Sequence, residues 1–330
     1  MTVLDDRGSQ MEDLSRDELN FVWLEITGRC NLTCVHCYAE SGPTGTHGSV
    51  ATERWLELID EAAVMGTMLI QLIGGEPTLH PDFTRLLHRV LANGMEVEVY
   101  SNLFQISERV WKVLQAPGVR LATSFYSADE ERHDRVTGRA GSQQRTLVNI
   151  EKAVALGIPI RVGIINMDTE SSGEQAADTL RALGVDAVSI DNRRDVGRGA
   201  APDADLTLTD PCDELCGACT SGSVAILPDG TVQPCVFSRW LPVGNVLESP
   251  LCDVVRGSLM RETTRVLDES FAKRIQLSED PDVTCPPLST VCPPKTNPPC
   301  QPSSGPCMPT SCNPNCEPSL YCVPRQSPPL

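Results

Sequence analysis

Six short apolar runs, separated by stretches of helical periodicity, occupy residues 21 to 200. The runs are FVWLEIT (21–27), TMLIQLI (67–73), MEVEVY (95–100), VRLATSFY (119–126), IPIRVGII (158–165) and VDAVSID (185–191). Residues 52–65 read as the first helix, with Gly66 just past its end at the usual C-terminal capping position. The second opens at Pro81, puts Phe83, Leu86, Leu87, Val90 and Leu91 on one face, and ends at Gly94. Further helices fit residues 107–115, 143–156 and 174–183. Such repeats, joined by short connections, imply a parallel sheet with helices outside. A doubly wound sheet and a partial TIM-like barrel both satisfy the pattern. In either, the loops after the strands carry the chemistry.

The distinctive residues fall in those loops. RCNLTCVHCY follows the first strand and spaces Cys30, Cys34 and Cys37 as C-x3-C-x2-C. GGEPT (74–78) follows the second strand, and Ser101 and Asn102 follow the third. Three thiolates within eight residues suit an iron–sulfur cluster better than zinc, which closes with four ligands, usually in two pairs. No further cysteine occurs until Cys212, so one iron of a [4Fe–4S] cube is left open to a non-protein ligand.

Beyond residue 200 the pattern changes. Cys212, Cys216 and Cys219 repeat the C-x3-C-x2-C spacing, and SVAILPDGTVQPC then predicts a small hairpin ending at Cys235. Residues 249–271 fit one or two short helices. From Pro281 onward lie 15 of the 26 prolines and 7 of the 15 cysteines, with almost no apolar periodicity. Such a segment builds no core alone. The net charge of −17 excludes nucleic-acid and anionic-membrane surfaces as natural partners. The polar, acidic N-terminus has no signal-peptide pattern, and no apolar run reaches the roughly 18 residues of a membrane span, which predicts a cytoplasmic protein. In a reducing compartment, 15 cysteines point to metal or cluster ligation rather than disulfides.

The C-x3-C-x2-C run directly after a first strand, closed by the aromatic Tyr38, resembles the radical S-adenosylmethionine (SAM) superfamily. The region from Cys219 through Gly230 to Cys235, with its G-x4-C spacing, resembles that family's SPASM/twitch subgroup. The resemblance implies an α/β fold: a partial (β/α)6 TIM-like barrel, then a small cysteine-rich SPASM/twitch domain and a Cys/Pro-rich tail. The implied division is an extension over residues 1–20, a core over 21–200, an auxiliary domain over 201–280 and a tail over 281–330. It further implies SAM and a [4Fe–4S] cluster at the first triplet, and one or two auxiliary [4Fe–4S] clusters beyond.

Residue by residue, Gly74, Gly75 and Glu76 match the segment that contacts the SAM amino group, with Glu76 available to an ammonium. Ser101 and Asn102 match the ribose and carboxylate contacts, and His36 the aromatic position against the adenine. GIIN (163–166) is a candidate adenine wall, and Arg194 or its neighbour Arg193 a partner for the SAM carboxylate. Cys219 and Cys235 are the implied auxiliary ligands, with Cys212 and Cys216 as additions; structural zinc is the other reading of this region. In the tail only Cys312 and Cys316 keep a family spacing, C-x3-C. Cys252 is either a small buried residue or a hydrogen-atom donor. SADEERHDRVTG (127–138) reads as a polar loop.

The implied activity is reductive SAM cleavage and hydrogen abstraction from a ribosomally made peptide. The products would be crosslinks, thioethers or epimers. A small molecule such as a sugar or aminoglycoside is the alternative substrate. An iron–sulfur carrier without SAM chemistry is a third reading, which the SAM-contacting residues oppose. Implied partners are an electron donor such as flavodoxin or ferredoxin and, with only about 20 residues ahead of the first strand, a separate peptide-recognition protein.

Overall fold

The computed structural model describes residues 19–167, 173–200 and 211–277. Its first half runs β1 (Phe21–Thr27), α1 (Thr52–Val64), β2 (Leu69–Gly74), α2 (Phe83–Ala92), β3 (Glu96–Tyr100), α3 (Glu108–Leu114) and β4 (Val119–Phe125). Then come α4 (Glu130–Thr137), α5 (Ser142–Ala155), β5 (Ile160–Asn166), α6 (Gly173–Ala182) and β6 (Ala187–Asn192). The remaining elements are β7 (Ser223–Ile226), β8 (Thr231–Gln233), β9 (Gly244–Asn245), α7 (Leu251–Val255) and α8 (Ser258–Leu277).

The strands form one sheet in the order β6-β5-β4-β3-β2-β1-β7-β8-β9. From β1 to β6 each strand pairs in parallel with its sequence neighbour. The order never reverses, so no switch point of a doubly wound sheet exists. The partial barrel is the architecture, and it is not closed: β6 and β9 are its two edges. The expected hairpin forms between β7 and β8, but β7 also pairs in parallel with β1, Phe21 opposite Ser223. The auxiliary region thus extends the same sheet. Among the described residues no helix is long and apolar enough to cross a membrane.

Strand alternation divides the interior. Val22, Leu24 and Ile26 of β1 face the helices, where they join Trp55, Leu58 and Ile59 of α1 and Phe83, Leu86 and Leu87 of α2 in the main core. Gly66 and Gly94 follow α1 and α2 at φ of +90° and +77°, as their sequence positions predict. Two local readings change. Pro81 and Asp82 form a turn, and α2 starts at Phe83, while the Asp82 carboxylate accepts the Thr52 hydroxyl at 2.7 Å. The segment expected as a polar loop is helical over Glu130–Thr137, capped by the Asp129 carboxylate and ended by Gly138 in a left-handed conformation. Its polar composition hid a short helix whose His133 and Thr137 are buried.

The opposite sheet face carries charge. Glu98 of β3 is fully buried and accepts Arg161 Nε and Nη2 at 2.9 and 2.7 Å, and Gln71 Nε2 from β2. Arg120 Nε approaches at 3.6 Å. The Arg161 guanidinium in turn lies 5.6 Å from the Tyr100 ring centroid, just below the loops. Removing one partner of a buried ion pair leaves an uncompensated charge, so Glu98→Ala is expected to cost about 3–5 kcal/mol, measured as a lowered urea midpoint.

Candidate functional site

After β1 the chain leaves the sheet as a loop fixed by its backbone. The Cys30 amide donates to Gly42 O at 3.0 Å, and those of Thr33 and Val35 donate to Thr137 O and Val136 O at 3.0 and 2.9 Å. From behind β6, Arg198 donates its Nε to Cys34 O at 2.9 Å, its Nη2 to Ser41 O at 2.8 Å and its amide to Cys37 O at 3.0 Å. Gly197 makes this clamp possible: at φ +59° it lies so close that a Cβ would sit 2.4 Å from Tyr38 O.

The backbone bonds leave the thiols of Cys30, Cys34 and Cys37 on the wall of an open cavity, whose empty space out to its mouth is about 1000 Å³. No fourth cysteine lines it among the described residues. Nor do three His, Cys, Asp or Glu side chains among those residues converge on one metal ion. Burial pushes the Cys30 and Cys34 thiols up to about 12 each. The Glu76 charge adds for Cys30, and the neighbouring thiols add for Cys34. Three sulfurs on the wall of such a cavity fit a cationic iron–sulfur core that would displace thiol protons on binding.

Gly74 and Gly75 line the cavity beside the thiols. A Cβ on Gly74, at φ +124°, would lie 2.4 Å from Thr27 O, and one on Gly75 would lie 2.3 Å from Arg29 O. Only glycine lets this backbone pass so close to the cluster loop. Glu76 departs from the expectation of a direct ammonium contact. Its carboxylate does not line the cavity. It lies fully buried behind the cavity wall and accepts Thr78 N at 3.1 Å, Thr78 Oγ1 at 2.6 Å, Ser101 Oγ at 2.9 Å and Asn102 N at 2.8 Å. Burial raises its pKa, and the donors from Thr78, Asn102 and Ser101 pull it back. Ser101 and Asn102 do line the cavity, and Asn102 Nδ2 reaches Asn31 Oδ1 at 2.8 Å and Cys30 Sγ at 3.5 Å.

Across from these, His36 stands edge-on to Tyr126 with centroids 4.9 Å apart. Burial lowers its pKa to about 4, with Arg193 and Arg198 contributing, so the ring is neutral, and its buried Nδ1 has no hydrogen-bond partner among the described residues. Of the two arginines after β6, Arg194 lines the cavity, held by Asp191 at 3.2 Å and by Glu214 O at 3.3 Å; Arg193 pairs outward with Asp195 at 3.0 Å. Ile165 of GIIN also lines it. Sequence reasoning missed Tyr100, Tyr126 and Asp191, which the inward alternation of β3, β4 and β6 marks, and Phe237, which nothing local marks.

The second triplet has a different setting. Cys212, Cys219 and Cys235 are buried in one apolar cluster with Val196, Leu215 and Phe237. Cys219 Sγ lies 3.3 Å from Cys235 Sγ, and Cys216 also bonds to Cys219. The Cys219 thiol is raised by these bonds and by burial, and Cys235 is lowered by accepting from it. Of the four cysteines expected as auxiliary ligands, Cys219 is thus in contact with Cys216 and Cys235, and Cys212 shares their apolar cluster with Cys219 and Cys235. Their cluster meets the cavity through Phe237, whose ring is edge-on to Tyr38 at 5.3 Å. Cys312 and Cys316 lie outside the described residues. Cys252 sits on α7, which docks against α1 through Glu61 and the Leu251 amide at 2.6 Å. The structure does not bring it to the cavity, which removes the geometric basis for a hydrogen-atom donor there.

Comparison with known proteins agrees with this arrangement. The radical SAM superfamily model matches residues 24–183, and a SPASM iron–sulfur cluster-binding domain model matches residues 216–286. The antilisterial bacteriocin subtilosin biosynthesis protein AlbA of Bacillus subtilis is 26% identical over 287 residues, covering 78% of this chain and 64% of AlbA. The AdoMet-dependent heme synthase of Methanosarcina barkeri is 33% identical over 139 residues, covering 42% of this chain and 40% of the synthase. This chain therefore spans less than two thirds of either relative. Among solved structures, Streptococcus suis SuiB bound to S-adenosylmethionine superposes with a TM-score of 0.62 at 15% identity, covering 80% of this chain and 75% of SuiB. SuiB bound to its precursor peptide SuiA gives 0.61 at 14% identity, covering 80% and 73%.

Glu76 acts through its neighbours, so Glu76→Ala is expected to strand four donors from Thr78, Ser101 and Asn102, cost about 1–3 kcal/mol for each that finds no new partner, and weaken SAM binding in calorimetry. Cys219→Ser is expected to lower total iron while leaving SAM affinity intact.

Proposed function

We propose, for a chain that belongs to the radical SAM superfamily and carries a SPASM domain, an enzyme that modifies a ribosomally synthesised peptide by hydrogen abstraction. The observation behind the enzymatic reading is the cavity that sets three thiols beside the Gly74–Gly75 backbone, with no fourth cysteine among the described residues. A cluster and SAM held by these residues would supply the reductive cleavage of SAM and the hydrogen abstraction from the substrate.

The chain's residues hold and orient. Cys30, Cys34 and Cys37 ligate. The Gly74–Gly75 backbone receives the SAM amino group, with Glu76 behind it as a positioning residue. Arg194, anchored by Asp191, faces the SAM carboxylate, and Asn102 and Ser101 take the remaining polar groups. The neutral His36 packs against the adenine without repelling it by charge. Cys212, Cys216, Cys219 and Cys235 hold an auxiliary cluster, on the far side of Phe237 from the cavity.

The peptide assignment is supported by the extent of the likeness. The alignment with AlbA, a bacteriocin biosynthesis protein, runs through 78% of the chain and so through both regions. The likeness to the heme synthase covers 42%. SuiB shares the fold and has been solved with a peptide.

Anaerobic reconstitution with iron, sulfide, SAM and dithionite is expected to release 5′-deoxyadenosine. Replacing Cys30, Cys34 and Cys37 together by alanine is expected to abolish it while part of the iron remains. No product above the reagent blank in the unaltered protein would overturn the enzymatic reading. Short peptides encoded beside the gene, incubated in deuterated buffer, are expected to lose two hydrogens or gain deuterium at one carbon. Turnover of an aminoglycoside or sugar with no peptide change would overturn the peptide assignment.

A further inference from the structure

The chain carries 44 acidic against 27 basic residues, yet two arginines sit together beside the first triplet with no carboxylate partner among the described residues. Arg139 and Arg145 both place their guanidinium over the Phe104 ring, 5.2 and 5.0 Å from its centroid. Both arginines are exposed, whereas Phe104 is 4% exposed. Phe104 also packs in one small cluster with Cys30, Leu32 and Cys34. Its amide donates to Asn102 Oδ1 at 2.9 Å, and Asn102 Nδ2 lies 3.5 Å from Cys30 Sγ. One aromatic ring therefore connects a basic surface with two of the three cavity cysteines.

The surrounding surface is built to hold that arrangement. Thr33 and Val35 of the cluster loop bond to the end of α4, and Gly138 is so close that a Cβ would lie 2.3 Å from Thr33 Oγ1. Val35, between two of the cysteines, is 52% exposed. The Asp134 carboxylate of α4 is occupied by the turn it closes, accepting Ser142 Oγ at 2.9 Å and Gln143 N at 3.0 Å. Glu130 and Glu131 lie in the first turn of α4, at the end away from the arginines. The face thus presents an apolar residue of the cluster loop flanked by unpaired positive charge.

We propose that this face, formed by Val35, Arg139 and Arg145 over Phe104, docks an acidic one-electron carrier protein that reduces the site. The inference rests on the radical SAM reading of the cavity. Charge complementarity names the occupant: an acidic chain repels an acidic carrier everywhere except where basic groups are exposed together. Short distance to the thiols names its purpose. In each encounter one electron leaves the reduced carrier and enters the cluster, no bond forms or breaks, and the carrier departs oxidised by one electron.

The test uses the reconstituted protein and an Arg139→Glu/Arg145→Glu double variant, with Arg139→Gln/Arg145→Gln as the milder form. Binding of oxidised flavodoxin, and separately of a bacterial ferredoxin, is followed by calorimetry at low and at raised salt. Turnover is followed with each reduced carrier and with dithionite. The unaltered protein is expected to bind at least one carrier in a salt-sensitive way, and charge reversal to weaken that binding about tenfold or more. Carrier-driven 5′-deoxyadenosine is expected to fall in step, with dithionite-driven release unchanged. Equal binding by the reversed variant, or equal loss with dithionite, would overturn the docking assignment. If the unaltered protein makes 5′-deoxyadenosine with dithionite but binds neither carrier, docking fails alone; if it makes none with dithionite, the functional reading fails first.

Discussion

The buried carboxylate of Glu76 joins the parts of the cavity that chemistry needs in fixed relation. It gathers donors from its own turn and from the end of β3, and so ties the loop after β2 to Ser101 and Asn102. Asn102 carries the link onward to Asn31 and Cys30. A carboxylate taken out of water is costly unless its oxygens are filled, and here the Ser101 hydroxyl and the Asn102 amide that help fill them belong to cavity residues. The backbone of Gly74 and Gly75 is pressed against the cluster loop by the same turn, through the Gly75 amide on Thr27 O at 2.7 Å and the Glu76 amide on Arg29 O at 2.9 Å. Ligand cradle and thiol loop are in this way parts of one bonded unit.

A second set of contacts brings the auxiliary region to that unit. β7 continues the sheet from β1, which fixes where the chain re-enters after the hairpin. Arg239 then reaches the buried Glu25 of β1 at 2.7 and 2.8 Å and stacks 5.2 Å from the Tyr38 ring. Burial raises the Glu25 carboxyl, and the Arg239 guanidinium opposes that rise. Phe237, between Cys235 and Arg239 in sequence, is thereby seated against Tyr38, the residue after Cys37. The sheet and one buried ion pair together place both cysteine groups around a common aromatic contact.

How much of this was legible in the sequence follows from how local each signal is. FVWLEIT became β1 residue for residue, and the other five strands shifted by only a few residues at their ends, because period-two alternation is written in consecutive residues. Cys30, Cys34 and Cys37 were singled out by their spacing together with their place after the first strand beside GGEP, and Ser101 and Asn102 by standing at a strand end; all five line the cavity. Glu76 was found, but its direction was not, since nothing in GGEP says that its oxygens turn inward to Ser101. Phe237 was invisible: it acts on a partner more than a hundred residues away in the chain, and it has no local pattern. Helix α4 was hidden by its charge, because only His133 and Thr137 among its residues are buried.

The two equally spaced triplets differ in what holds them. The first is held by bonds to Gly42, Val136, Thr137 and Arg198 that involve no thiol, and its sulfurs stand on a cavity wall where Leu32 N and Asn102 Nδ2 each reach Cys30 Sγ at 3.5 Å. The second has Cys212 and Cys219 inside an apolar cluster with Cys235, while the half-buried Cys216 bonds to Cys219, which lies against Cys235. Cysteine chemistry follows surroundings rather than spacing. A thiol set on a cavity wall can share its metal with a small molecule that enters and leaves. A set buried among Val196, Leu215 and Phe237 has protein on its open sides, which suits a cluster retained by the chain.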